Sequence, residues 1–418
     1  MSPPPGAKAP ASGGNRCRSG PLAGIRVIDM STVVLGPYAT LILGDLGADV
    51  IKIETGAGDI VRHAGKAPAP GMGPLYMALN RNKRSVKLDL RKPQAKEAMR
   101  RLLGGADIFF HNVRLGGISR LGFNYEAVRA VNPSLVYVHC VGYGSDGAYA
   151  GRQAYDDLVQ AASGFADLLR ARDSVEGRES EPAYMPSLIA DKTAGLHAVY
   201  ATLAALFHRE RTGEGQFVEV PMLETFTMFH LVENLYGRSF VPPTGGMAYT
   251  RSVNPNRRPY PTKDGYIAIV PYSDDQWAQF FDLGGRPGVM EEPRFRTYEA
   301  RTENIGALYA LIREVARTRT TEEWLKLLDE AHIPAMRYNR LEDVLEEPHL
   351  VSSDFFQTRH HAQAGDYVTM RHPVRFEVSP ADIERDPPLL GADTESVLRE
   401  AGLSEAEITD LTSEPKAR

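Results

Sequence analysis

Asp191 closes the apolar stretch MPSLIAD and heads a long amphipathic run, so its carboxylate opens a predicted helix. Free backbone N–H groups and the helix dipole favour an anion at that point. Two readings follow. Asp191 is a reactive carboxylate whose surroundings also suit a developing oxyanion, or it is an N-cap that contributes about 1 kcal/mol. Other chemistries lack their residues. Tyr143-Gly144-Ser145-Asp146-Gly147 approximates a nucleophile elbow, but Tyr143 stands where the first glycine belongs, which disfavours a serine hydrolase. No G-x-x-x-x-G-K-[ST] loop is present, which argues against ATP-driven ligation of that design, and GADVIKIE lacks the G-x-G-x-x-G of a nicotinamide site. None of the eleven histidines forms H-E-x-x-H, and His360-His361 has no nearby carboxylate pair, so no metal site is expected. His197 reads as a helix histidine satisfied in the interior or at the surface. Cys17 and Cys140 have no metal-ligand spacing, which argues against both disulfide and structural zinc.

The elements that must position Asp191 alternate along the chain. GIRVIDM reads as a buried strand, and GPYATLILGDLGADVIKIE as a helix and a second strand, with Gly36 and Pro37 at a sharp turn and Gly47 at the helix end. SVKLDL, DIFFHNV and SLVYVHCVGYG are further strands, separated by the helices KPQAKEAMRRLLGGA and YEAVRAVNP. This alternation predicts a parallel sheet covered by helices. The long helix after Asp191 carries Leu196, Val199, Leu203, Leu206 and Phe207 at helical spacing, which predicts its buried face. QFVEVPMLETFTMFHLVENLYG adds a strand and a helix. The stretch from Phe240 to Arg258 has little periodicity and reads as a linker into a compact second region.

Length and composition set the outer bounds. With 418 residues, 43% hydrophobic and 24% charged, the chain reads as globular and as larger than one simple core. A formal net charge of -5 excludes the basic field of non-specific nucleic-acid binding. No apolar run approaches the roughly 20 residues that cross a bilayer. Residues 1–20 are rich in Pro, Gly, Ala and Ser and lack the apolar core of a secretory signal, so a disordered tail and a cytoplasmic location are expected.

PLAGIRVIDMSTVVLGPYATLILGDLGADVIKIE resembles the opening of the CaiB/BaiF family, the class III CoA-transferases. The likeness continues through NRNKRSVKLDL, HNVRLGGISRLGF, NPSLVYVHCVGYGSDGAYA, YDDLVQAASG, DKTAGLHAVYATLAALFHRERTGEGQFVEVPM and PPLLGADTESVLREAGLSEAEI, covering nearly everything after Pro21. The resemblance implies an α/β fold: a large Rossmann-like CoA-binding domain with a parallel sheet, a smaller α+β domain, and two ring-like subunits interlaced as a homodimer. The implied segments are a tail over 1–20, the large domain over 21–212, a linker over 213–254, the small domain over 255–343, and a return to the large domain over 344–418.

The resemblance also makes Asp191 the nucleophile of a transferase that forms aspartyl anhydride and aspartyl-CoA thioester intermediates. Coenzyme A is then a co-substrate, no cofactor is tightly bound, and the partners are an acyl-CoA, a carboxylic acid and a second copy of the chain. By position in the family pattern, Asn112, Val113, Arg114 and Arg120 match the CoA-contacting stretch. Arg62, Lys83 and Arg84 lie in neighbouring motifs, where a surface charge is the other reading. Thr55 stands where the family often has an arginine. Racemases of α-methylacyl-CoA share the family and carry a His-Asp pair in the segment that here reads Ala154-Tyr155-Asp156-Asp157. Tyr155 replaces the histidine, and a phenol with an ordinary pKa near 10 suits that proton transfer poorly; Tyr155 is instead expected beside the bound acyl-CoA. Only Thr244-Gly245-Gly246 corresponds to the glycine-rich loop of formyl-CoA transferases. Arg251, Arg257 and Arg258 either meet the second carboxylate of a dicarboxylate such as succinate or form a basic linker surface. A CoA-binding protein without turnover is the remaining alternative.

Overall fold

The computed structural model describes residues 19–174 and 179–413; Cys17 and most of the expected tail lie outside them. Six strands form one sheet: β1 (Arg26–Met30), β2 (Asp49–Glu54), β3 (Lys83–Lys87), β4 (Ile108–His111), β5 (Val136–Val141) and β6 (Phe217–Pro221). Every pairing is parallel and the order is β3-β2-β1-β4-β5-β6. The order reverses between β1 and β4, which makes the carboxyl ends of these two strands the natural ligand crevice. The central strands β1, β4 and β5 are mainly apolar because helices cover the sheet. Ile28, Ile51, Val86 and Phe109 pack with Met99, Leu102 and Leu103 of the helix Pro93–Gly104. Val397, Leu398 and Ile408 from two C-terminal helices complete this core, so the end of the chain returns to the first sheet.

Two compact units divide the described chain. The first comprises residues 19–162, 186–229 and 354–413. Pairing of β6 with β5 carries it past residue 212, and it includes the antiparallel hairpin of β10 (Phe356–His361) and β11 (Gly365–Met370). The second unit comprises 163–174, 179–185 and 230–353. Its antiparallel sheet contains β7 (Tyr260–Pro261), β8 (Tyr266–Ile269) and β9 (Ala335–Arg337). Helices Asp274–Leu283, Ile305–Ala316 and Thr321–Glu330 supply its core through Trp277, Phe280, Leu308, Ile312, Trp324 and Leu328. Among the described residues, no helix is long and apolar enough to cross a membrane.

Helix α1 (Leu35–Asp45) follows β1, and Gly47 adopts a left-handed φ of 100° just past its end, where only glycine is unstrained. The sharp turn into α1 is not at Gly36, as the sequence suggests, but at Val33, whose φ is 71°. Gly36 lies inside the helix and is required for a different reason: a Cβ there would fall 2.2 Å from the Ser31 Cβ.

The long helix spans Ile189–Thr212 and packs against α1. Its buried face corrects the predicted stripe. Val199 and Leu206 are buried, but Leu196 is 51% exposed and Phe207 65% exposed, while Ala190, Ala194, Gly195, Ala198 and Thr202 point inward. Close approach decides this, since a Cβ on Gly195 would sit 2.9 Å from the Leu35 carbonyl oxygen and only small residues fit the contact.

Candidate active site

A cleft of about 490 Å³ opens at the carboxyl ends of β1, β4 and β5. Thr32 and Val33 line it from the turn after β1, Asn112 and Arg114 from the loop after β4, and Asp191 from the first turn of the long helix. The crevice therefore coincides with the strand-order reversal.

Asp191 is not the cap of its helix. The N-cap position is Leu188, with no side-chain cap, and Asp191 is the third residue of the first turn. Its backbone N–H donates to the Asp156 carboxylate at 3.0 Å. The Asp191 carboxyl is pushed up from 3.8 to about 7, first by burial and then by the negative charge of Asp156, against a hydrogen bond from the Leu35 backbone that lowers it. Asp156 is buried at the start of its own helix, and Gln160 Nε2 donates to its other oxygen at 2.6 Å. A carboxylate elevated in this way is a stronger nucleophile than an ordinary one and is still substantially ionised near neutral pH.

The turn that presents α1 to Asp191 is held from below. Val33 in the left-handed region costs about 1–3 kcal/mol for a β-branched residue, and Asp59 constrains it. Asp59 Oδ1 accepts the Val33 N–H at 3.1 Å, and its Oδ2 pairs with the fully buried Lys52 ammonium at 3.0 Å. Lys52 also donates to the Ser31 carbonyl at 2.8 Å. Across the switch point, the Asn112 side chain accepts the Thr32 N–H at 3.0 Å and donates to the Thr32 carbonyl at 2.9 Å, joining the loops after β1 and β4.

The remaining candidates divide into two groups. Asn112, Arg114 and Tyr155 line the cleft with Asp191. Arg114 is exposed and, among the described residues, has no carboxylate within ion-pair distance. Tyr155 is 55% exposed, and Gln153 Nε2 donates to its hydroxyl at 2.6 Å. Val113 does not line the cleft; its carbonyl accepts His139 Nε2–H at 3.0 Å, which fixes the loop that carries Arg114. Arg120 lies exposed in the last turn of the helix Leu115–Leu121 and is not a cleft residue.

Arg62, Lys83 and Arg84 belong to the scaffold rather than to a phosphate site. Arg62 is 1% exposed and forks onto Glu54 at 2.6 and 2.7 Å. Lys83 is fully enclosed by Asp29, Thr40, Asn80 and the Pro37 carbonyl. Arg84 bridges Asp49 at 2.6 Å and Glu400 at 2.8 Å, tying β2 and β3 to the helix Thr394–Glu400. Each charge is already compensated inside the fold.

Sequence reasoning missed the contribution of Asp156, although it sits beside Tyr155 in a paired Asp-Asp that could have drawn notice. It also missed Arg152, a cleft residue whose guanidinium lies 4.6 Å from the Tyr149 ring centroid, and His139. Gly142 matters here because a Cβ would fall 2.2 Å from the Ala154 Cβ, so only glycine lets the strand end meet the loop that leads to Asp156. Among the described residues, no group of three or more His, Cys, Asp or Glu is arranged to hold a metal ion.

A sequence profile for CoA-transferase family III matches residues 22–394. The chain is 32% identical over 418 residues to formyl-CoA:oxalate CoA-transferase of Streptomyces avermitilis, covering 94% of this chain and 98% of that protein. It is 31% identical over 399 residues to succinate–glutarate CoA-transferase of Agrobacterium fabrum, covering 92% and 96%. It is 29% identical over 384 residues to human succinyl-CoA:glutarate CoA-transferase, covering 91% and 86%. Among solved structures, a hypothetical protein from Mycobacterium tuberculosis superposes with a TM-score of 0.77 at 29% identity, covering 91% of this chain and 99% of the other. A CaiB/BaiF family protein from Brucella suis does so with 0.75 at 28%, covering 92% and 100%.

Proposed function

The chain belongs to CoA-transferase family III and is a class III CoA-transferase, and on that premise we propose that Asp191 is its covalent nucleophile. The observation that carries this reading is the Asp191 carboxyl itself, lining the cleft with its pKa raised to about 7. Its ionised oxygen attacks the acyl carbonyl of a bound acyl-CoA and expels CoA thiolate, leaving an aspartyl-acyl anhydride. The thiolate then attacks the aspartyl carbonyl and releases the donor acid as a carboxylate. An aspartyl-CoA thioester remains. The acceptor carboxylate attacks the aspartyl carbonyl of that thioester and expels CoA thiolate, leaving a second anhydride; the thiolate then attacks the acceptor's acyl carbonyl, which forms the product thioester and releases the Asp191 carboxylate. One thioester replaces another, so no nucleotide is consumed.

Arg114 and Arg120 are the cations proposed for the CoA phosphates, with Asn112 and Val113 shaping the loop that leads into Arg114. Tyr155 is proposed to face the acyl portion. For the acids, the names of the human and Agrobacterium relatives favour a dicarboxylyl donor such as succinyl-CoA. An interlaced homodimer is supported by the exposed apolar Leu196, Tyr200 and Phe207 on one helix and Met228 and Phe229 on the next, a pattern typical of surface covered by another chain.

Mass spectrometry after incubation with succinyl-CoA tests the mechanism. A CoA-sized adduct on the peptide containing Asp191, absent from Asp191→Ala, is expected. An unmodified Asp191 across a panel of acyl-CoAs, together with deuterium exchange at the acyl α-carbon, would overturn it.

A further inference from the structure

The second unit holds a recess of its own, of about 220 Å³. Its floor is apolar and aromatic, formed by Ile269, Trp277, Tyr309 and Ile312, all nearly buried. Its mouth is cationic, formed by Arg251, Arg257 and Arg258.

These three charges are unequally compensated. Arg258 pairs with Asp173 at 2.9 Å. Arg251 donates from Nε to the Tyr309 hydroxyl at 3.2 Å, a neutral partner that orients the guanidinium without cancelling its charge. Arg257 is exposed and, among the described residues, has no carboxylate within 4 Å. The cations also act together on one group: burial and Tyr309 push the Tyr260 phenol up, while Arg257, Arg251 and Arg313 pull it back. Two uncompensated guanidinium groups thus stand over a small aromatic hollow.

We propose that this recess is a binding site for a small carboxylate with an apolar body. The carboxylate docks on Arg251 and Arg257, whose planar forks suit two oxygens, and the hydrocarbon portion lies on Trp277 and Tyr309. A bare inorganic anion would leave the floor unused, and a neutral molecule would leave the charges unanswered. The recess shares no lining residue with the Asp191 cleft.

The chain's two tryptophans make the test direct. In full-length Trp324→Phe protein, Trp277 is the remaining tryptophan and is excited selectively over tyrosine at about 295 nm, and calorimetry on the unsubstituted chain provides the same titration without that change. Hexanoate is expected to bind saturably and to perturb Trp277 fluorescence. Hexanamide and inorganic phosphate should each bind at least tenfold more weakly. Arg251→Met combined with Arg257→Met should weaken hexanoate at least tenfold, whereas Asp173→Asn, which frees Arg258, should tighten it. Saturating CoA should leave the titration unchanged. Equal binding of hexanoate and hexanamide, phosphate binding as tight as hexanoate, or an unaffected double variant would each overturn the proposal. Loss of hexanoate binding on addition of CoA would also overturn it, because the ligand would then occupy the Asp191 cleft instead.

Discussion

The Asp156 carboxylate accepts the backbone N–H of Asp191 at 3.0 Å, so one buried acid anchors the helix turn that carries the other. The same contact brings a negative charge near the Asp191 carboxyl and helps to hold its pKa near 7. One neighbour therefore helps to set both the position of Asp191 and, after burial, its reactivity.

Replacing Asp156 with Asn keeps an oxygen that can accept the Asp191 N–H but removes the charge. The acidic limb of kcat/KM against pH, expected near pH 7 in the native enzyme, should move down by about one unit, because the burial contribution remains. A limb that stays in place would show that Asp156 acts only as an anchor.

Asp191→Asn should abolish turnover and also alter stability with pH. The folded carboxyl titrates near 7 and the ordinary value is 3.8, so the folded state holds its proton more tightly than the unfolded chain. Its contribution to stability is complete below about pH 4 and is lost as pH rises through 7. Asn removes that loss, and the variant should gain stability over the native protein by up to about 4 kcal/mol at pH 8 and little at pH 4. Thermal melts at the two pH values give the comparison; an equal difference at both would contradict the elevated carboxyl.

Arg114 and Arg62 should separate cleanly. Arg114→Ala removes an exposed cleft cation and should raise KM for acyl-CoA roughly tenfold, as expected for about 1.4 kcal/mol of binding, with an unchanged melting temperature. Arg62→Ala strands the buried Glu54 carboxylate and should destabilise the fold by about 3–5 kcal/mol. Denaturant unfolding beside steady-state kinetics distinguishes the two; a selective KM effect of Arg62→Ala would return it to the binding site.

Gly195→Ala should push the long helix away from α1, because the new methyl meets the Leu35 carbonyl at 2.9 Å and the Tyr38 ring at 3.0 Å. A loss of about 1–3 kcal/mol is expected, together with lower kcat, since Leu35 hydrogen-bonds Asp191. Unfolding midpoints and kcat measured together check it, and a neutral substitution would mean that the interface has slack.

The sequence by itself determined the alternating strands and helices, the turn glycine Gly47, the family, and Asp191 as the residue at a helix start, because these depend on local periodicity and contiguous motifs. It could not separate Arg114 from Arg62, Lys83 and Arg84, since a cation in a strand or loop reads the same whether it faces a ligand or a buried carboxylate. That distinction required Glu54, Asp29, Asp49 and Glu400, three of them distant in the chain from the cation they meet. The same limit hid the true face of the long helix. Large apolar residues set the hydrophobic pattern, but helix separation at Gly195 selected the small ones, and separation is a property of two elements. Asp191 shows the division most plainly: its place at the opening of the helix is written in the sequence, whereas its elevated pKa arises only when folding buries it and brings Asp156, 35 positions earlier, against its backbone.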